Sequence, residues 1–344
     1  MSEAPETGWF RTCTVRGVMV GSTHHQTIKG PRVHPSRLRA LSAAVIPLVF
    51  LAGCGSSKAT DQPASALDAV AVGGTDKAPT LVLKTKPMTV KATTIKVITA
   101  GKGAKTSKAK PVIFNYALFN GKDGKQIDTS FGKKVAGIDL SSESVLKGLL
   151  TGMIGQPLGS RVLVAIPPVD AFGAEGNAQA GVGATDTVVF LIDLLSEVTP
   201  LPAATGTAVP PKAGLPTATV DGAKPAQIIV PKTAAPTKLV VQPLIKGAGP
   251  VVKAEQTLMI NYTGVLWKDG KKFDASGDRG KPFHTPIGVG QVVPGWDKGL
   301  VGQTVGSRIL LVVPPADGYG PKGSPPKIGP KDTMVFVVDI LAVY

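Results

Sequence analysis

Few residues of this 344-residue chain have the types and spacing for covalent or metal chemistry. Cys13 and Cys54 both precede any plausible domain, so no disulfide framework or thiolate metal site is expected in the folded part. His24, His25, His34 and His284 lack metal-ligand spacing, and no Ser/His/Asp set can be assembled. The segment "GKGAKTS" (101–107) has the flavour of a phosphate loop without its G-x-x-x-x-G-K-[ST] spacing. With its counterpart "GAGPVVKA" (247–254) it reads as a lysine-rich hairpin loop. What remains is a repeated phrase: "LVVPPADGYG" (311–320) and "VAIPPVDAFG" (164–173) differ in that Tyr319 carries a hydroxyl where Phe172 has none. A phenol is an oriented hydrogen-bond donor on a flat apolar body, and only one copy has it.

The phrase belongs to a longer repeat at an offset of 146 or 147 residues. "IFNYALFNGKDGKQIDTS" (113–130) lies over "MINYTGVLWKDGKKFDAS" (259–276), and "VLKGLLTGMIGQPLGSRVLVAIPP" (145–168) over "VVPGWDKGLVGQTVGSRILLVVPP" (292–315). "TDTVVFLIDLL" (185–195) lies over "KDTMVFVVDIL" (331–341). A period this long marks a duplicated domain of about 110 residues, not a solenoid unit. Each copy reads mostly as strand. Leu258, Ile260 and Tyr262 alternate with Met259 and Asn261, "KDGKK" turns the chain, and "SRILLVV" and "TMVFVVDIL" are rich in branched residues. Only 292–301 reads as helix, with Val292 or Val293, Trp296 and Leu300 on one face and Pro294 in the first turn. The expected class is α+β: two tandem domains, each an antiparallel sheet packed with one short helix.

Residues 37–54, "RLRALSAAVIPLVFLAGC", combine two arginines, a short apolar run and "LAGC", the build of a signal peptide ending in a bacterial lipobox. Cys54 would then be the acylated first residue of an exported protein, held on the outer face of the bacterial membrane. Residues 1–53 are expected to be removed. Within them 1–32 do not fit a signal peptide, and a translation start nearer Val33 is expected. Residues 54–78 read as a flexible tether, 79–198 as the first domain, 199–223 as a Pro/Ala-rich linker expected to be extended and unpacked, and 224–344 as the second domain. The formal charge of +15 includes a net +4 from residues 1–53. The remaining lysines are scattered without interleaved aromatics, which argues against a nucleic-acid partner. Attraction to an anionic surface, or plain solubility, accounts for them.

The C-terminal copy, over about residues 236–344, resembles the FKBP-type peptidyl-prolyl cis–trans isomerases. The resemblance is carried by "YTGVLWKDGKKFDAS", "VVPGWDKGL", "VGSRILLVVPP" and "GYG" in order. It implies a twisted antiparallel sheet wrapped around one short helix, an isomerase needing no cofactor or metal, and proline-containing polypeptides as clients, with macrolides as further candidate ligands. Carried over by position, Trp296 resembles the pocket floor and Tyr262, Phe273, Phe283, Val292, Val293 and Phe336 its walls. Tyr319 resembles the hydroxyl donor to a substrate carbonyl, the Val293 N–H a second donor, and Asp274 the lining carboxylate, held by Arg279 and Tyr262. Ile328 closes the rim. Ser324 and Lys327 depart from the family pattern, which bears on substrate preference.

Taken singly, Trp296 reads as core and Asp274 with Arg279 as a surface pair; order and spacing favour the functional reading. The N-terminal copy keeps Tyr116, Asp128, Gly159–Arg161 and Phe190, but has Leu149 for Trp296, Ile127 for Phe273 and Phe172 for Tyr319. It is expected to fold and to isomerise poorly, serving as a spacer or client-binding module. The competing reading is a non-catalytic tandem module or chaperone in which both copies grip proline-containing or unfolded segments, gaining avidity from the linkage.

Overall fold

The computed structural model describes residues 65–344. The signal peptide, Cys54 and residues 54–64 of the tether lie outside the described residues. A hairpin of β1 (Val70–Thr75) and β2 (Ala78–Leu83) comes first. It is followed by β3 (Thr94–Thr99), β4 (Val112–Asn120), β5 (Gln126–Thr129), β6 (Ala136–Ile138), α1 (Lys147–Met153), β7 (Arg161–Ile166) and β8 (Val188–Glu197). The first sheet runs β3-β7-β8-β4-β5, with β6 also on β4, and every pairing is antiparallel. Because β3 and β4 are not neighbours, residues 101–107 form a connection and not the expected hairpin loop, and the same holds for 247–254, whose flanking strands (Val240–Lys246 and Thr257–Leu266) are not paired with each other.

Three short strands follow, β9 (Thr207–Ala208), β10 (Thr217–Thr219) and β11 (Gln227–Ile229). The second copy then repeats the first with β12 (Val240–Lys246), β13 (Thr257–Leu266), β14 (Lys272–Ala275), β15 (Phe283–Pro286), α2 (Pro294–Leu300), β16 (Arg308–Val313) and β17 (Met334–Val343). Its sheet runs β14-β13-β17-β16-β12-β9, with β15 on β13. Register is conserved between the copies: Tyr262 faces Val338 as Tyr116 faces Ile192. Each copy is thus the expected antiparallel sheet with one short helix.

The helix sits tightly on the sheet because two of its residues have no side chain there. A Cβ at Gly295 or Gly299 would come within 2.7 Å of Val313 Cγ1 or Leu311 Cδ2 respectively. Pro294 opens the helix, and Trp296, between the two glycines, is thereby carried over the sheet's inner face. The inner core comprises Leu258, Ile260, Leu300, Ile309, Leu311, Val313, Val338 and Ile340, all fully buried.

The segments expected to be loose are packed. Leu67, Val70, Leu81 and Leu83 lie over Ala117, Phe119, Leu163 and Leu191 on the outer face of the first sheet, so residues 66–78 are not tether. In the 199–223 linker, the Leu201 N–H donates to the Leu341 carbonyl, the Thr205 N–H donates to the Gly306 carbonyl, and β9 extends the second sheet along β12. The β10–β11 hairpin covers that sheet's outer face, with Ala218, Val220 and Ile228 against Val265, Leu310, Val312, Val335 and Val337. The physical reason lies in strands that are apolar on both faces and so require a second cover.

Candidate active site

Four elements of the second copy bring aromatic rings to one place. β13 supplies Tyr262, β15 Phe283, β17 Phe336 and α2 Trp296. The Tyr262 and Trp296 ring centroids are 5.1 Å apart at 82°, Trp296 and Phe336 are 5.2 Å apart at 81°, and Phe283 stands 5.7 Å from Tyr262 and 6.4 Å from Trp296. Phe273 of β14 meets Phe336 edge-on at 5.5 Å. Val292 and Val293 pack against the same cluster. The indole Nε1 of Trp296 is buried with no hydrogen-bond partner among the described residues.

One wall is polar. The Tyr262 hydroxyl donates to Asp274 Oδ2. Arg279 donates to Asp274 Oδ1 at 2.6 Å and to the Tyr262 oxygen at 2.7 Å, its guanidinium lying 5.6 Å from the Tyr262 ring centroid. Burial, with the Asp274 hydrogen bond second, pushes the Tyr262 phenol up to about 12. Burial acts to raise the Asp274 carboxyl, but Tyr262 and Arg279 together outweigh it and hold that group below its ordinary range. The wall is therefore a fixed dipolar arrangement near neutral pH, with no proton poised for transfer.

At the rim Tyr319 joins two short 3-10 turns, Pro315–Asp317 and Gly320–Lys322, and stays 47% exposed. Burial of its inner part and the Asp274 charge raise its phenol. Ile328 is buried and held by a backbone bridge to Ser324. Of the expected site residues, Tyr262, Phe273, Phe283, Val292, Val293, Trp296, Ile328 and Phe336 share one apolar cluster, with Asp274 and Arg279 bonded at its Tyr262 edge. Three anchors were not foreseen. Lys298 pairs with Asp317 at 2.7 Å, tying α2 to the Tyr319 loop. Lys327 donates to the Phe273 carbonyl at 2.9 Å. Asp297 accepts the Gly288 and Gly290 N–H groups at 2.6 and 2.8 Å, folding the Val292–Val293 segment onto α2. Only the acidic residue in the first helical turn hinted at the last.

The first copy keeps the frame. The Tyr116 hydroxyl donates to Asp128 Oδ2 at 2.5 Å, and Ser130 Oγ accepts the Tyr116 N–H as Ser276 Oγ accepts that of Tyr262. Leu149 is fully buried in α1 where Trp296 stands in α2. The register adds a substitution the sequence comparison missed. Phe283 is paired with Ile260, whereas the equivalent pair is Ala136 with Phe114, so the ring has moved from the rim strand to the fully buried strand.

The second copy's cleft contains no nucleophile with an adjacent base. It presents edge-to-face rings beside the Tyr262–Asp274–Arg279 network. The fold is a small antiparallel sheet with one short helix and an aromatic cluster between them. A family description, FKBP-type peptidyl-prolyl cis–trans isomerase, matches residues 102–195 and 249–341. The chain belongs to that family and is a peptidyl-prolyl cis–trans isomerase with a duplicated domain. It is 42% identical over 109 residues to an FK506-binding protein of Streptomyces anulatus, covering 31% of this chain and 88% of the relative. It is 46% identical over 110 residues to FK506-binding protein 1 of Debaryomyces hansenii, covering 32% and 97%. The solved structure of three FKBP domains of wheat FKBP73 is 20% identical and covers 74% of this chain and 95% of its own, with a TM-score of 0.29.

Proposed function

We propose that the second domain alone carries the isomerisation, in an exported protein attached to the membrane through a lipid on Cys54. The observation that carries the catalytic part is Trp296 at the centre of the ring cluster, against Leu149 at the same place in the first domain. Rotating an X–Pro bond meets a barrier of roughly 18–20 kcal/mol because amide resonance must be broken. The planar amide has more charge separation than the twisted one, so a dry aromatic cleft favours the twisted form. In this reading Trp296 floors the proline ring and Tyr262, Phe273, Phe283, Val292, Val293 and Phe336 wall it. Tyr319 Oη and the Val293 N–H hold the flanking carbonyls, and Ile328 closes the rim. Asp274, fixed by Arg279 and Tyr262, sets the field on the polar side. The relatives named FK506-binding proteins suggest that the same cleft accepts that macrolide.

The first domain serves as a client-binding module or spacer: Phe172 lacks the hydroxyl donor and the buried Leu149 lacks the flat floor. Full-length Trp296→Leu in an NMR exchange assay on a proline peptide tests the assignment. Lost turnover is expected; turnover equal to the parent would move catalysis elsewhere. Lipid attachment is tested by mass spectrometry of the exported protein, where Cys54→Ser should abolish the acyl mass and membrane partitioning.

A further inference from the structure

The hairpin capping the second sheet reaches the cleft from behind. Its turn rests on the short 3-10 turn Ser276–Arg279. A Cβ on Gly277 would come within 2.6 Å of the Ala223 carbonyl oxygen and 2.8 Å of Pro225 Cδ. The next hairpin residue, Ala226, donates its N–H to the buried Thr263 Oγ1 at 2.7 Å, one residue from Tyr262 in β13. The same 3-10 turn begins at Ser276, whose Oγ accepts the Tyr262 N–H at 2.9 Å, and ends at Arg279, which grips Asp274 and Tyr262. A turn of four residues has no slack, so a shift at Gly277 moves Arg279.

The duplication supplies an internal comparison. In the first copy the segment from Ser130 to Ala136 is one residue shorter than that from Ser276 to Phe283; it contains no arginine, its Phe131 is a buried ring in the cluster beneath β1–β2, and its Lys133 is exposed. A Cβ on its Gly132 would lie 3.6 Å from the nearest atom, the Lys77 carbonyl oxygen, so close backbone docking and the guanidinium occur together in one copy and both are missing from the other.

We infer that the β10–β11 hairpin is a positioning element of the isomerase site, its turn seating the 276–279 turn through Gly277 and thereby placing Arg279 on Asp274 and Tyr262. This rests on the second cleft being the catalytic one. Neither Gly277 nor the hairpin is among the residues assigned to the substrate, so the effect passes through Arg279.

The test uses the full chain carrying Gly277→Ala, Thr263→Val, Arg279→Lys, or Gly277→Ala with Arg279→Lys. Two readouts are taken, kcat/KM on a proline peptide and the carbon-13 NMR titration of the Asp274 carboxyl. Gly277→Ala should raise the Asp274 midpoint and lower kcat/KM by about 3–10-fold, while adding almost nothing in the Arg279→Lys background, as coupled residues do. Thr263→Val, which only removes the hairpin's acceptor, should move both readouts the same way by less, and it decides the matter if Gly277→Ala does not fold. A folded Gly277→Ala protein with an unmoved Asp274 titration overturns the inference, as do losses that multiply in the double variant. Full turnover in Trp296→Leu would defeat the catalytic assignment separately, and the Asp274 titration would still decide the hairpin's role.

Discussion

Replacing Asp297 with alanine should loosen one wall of the cleft without emptying it. The carboxylate takes two backbone N–H groups, from Gly288 and Gly290, at 2.6 and 2.8 Å. Hydrogen bonds to a charged group contribute about 1.5–3 kcal/mol each when shielded, and these lie at an exposed position, so about 1 kcal/mol apiece is the reasonable share. The acidic side chain also sits in the first turn of α2, worth about 0.3–1 kcal/mol against the helix dipole. Loss of both effects should destabilise the second domain by about 2.3–3 kcal/mol and free the segment bearing Val292 and Val293. If all of that restraint is used in placing those residues, kcat/KM falls by up to about 100-fold at 1.4 kcal/mol per decade. Asp297→Asn keeps one acceptor and should fall between. Denaturant melts and an exchange assay on the full chain read the two quantities. A variant with the expected stability loss and unchanged turnover would refute the claim that this carboxylate shapes the cleft.

Tyr319→Phe reproduces in the second copy what Phe172 is in the first. It should cost about 3–10-fold in kcat/KM, one neutral hydrogen bond, with no change in melting because the residue is 47% exposed. Turnover should be flat from about pH 5 to about pH 9, since Asp274 ionises below its ordinary value near 3.9 and Tyr262 only at about 12. The sign follows from the depressed carboxyl: its contribution to stability is full above the unfolded value and disappears as pH falls through the lower folded one. An inflection in kcat/KM between about pH 6 and pH 8 would contradict this.

The site was legible because its residues sit in short phrases whose order survives. Trp296 follows "VVPG", Asp274 follows Phe273, and Tyr319 stands between the glycines of "GYG". Asp297 and the Lys298–Asp317 pair were not, because their meaning is a contact between segments that spacing does not reveal. The hairpins were missed for a different reason. β10 and β11 are three residues each, too short to show a period amid Pro and Gly, so 199–223 read as an unpacked linker and the hairpin that β10 forms with β11, just beyond it, was not seen. Yet the strands they cover carried the signal. In "SRILLVV", Ile309, Leu311 and Val313 face the helix while Leu310 and Val312 face the hairpin. A sheet with one wet face would alternate, and this run does not. Continuous apolar strands in a small antiparallel domain demand a second layer, and the end of the linker and the residues just after it form it.

On the proposed assignment, what separates the first copy from an active site is a coupled change, and this sets what would restore it. Phe114 is fully buried 5.9 Å from the Tyr116 ring, Leu149 is fully buried, and Ala136 leaves no ring on the rim strand. Leu149→Trp alone adds bulk to a filled core, where overpacking costs about 1–3 kcal/mol, and should lower stability without conferring turnover. Adding Phe114→Ile, Ala136→Phe and Phe172→Tyr moves the aromatic ring back to the rim, makes room for the indole and returns the donor. In a chain silenced by Trp296→Leu, the four changes together should raise turnover above background while Leu149→Trp alone does not. If the single change were enough, the exchange between Phe114 and Ala136 would be incidental. If the four-residue variant folded and stayed silent, a ring box with one donor would be insufficient, and the wall would need the guanidinium that Arg279 supplies and Lys133 does not.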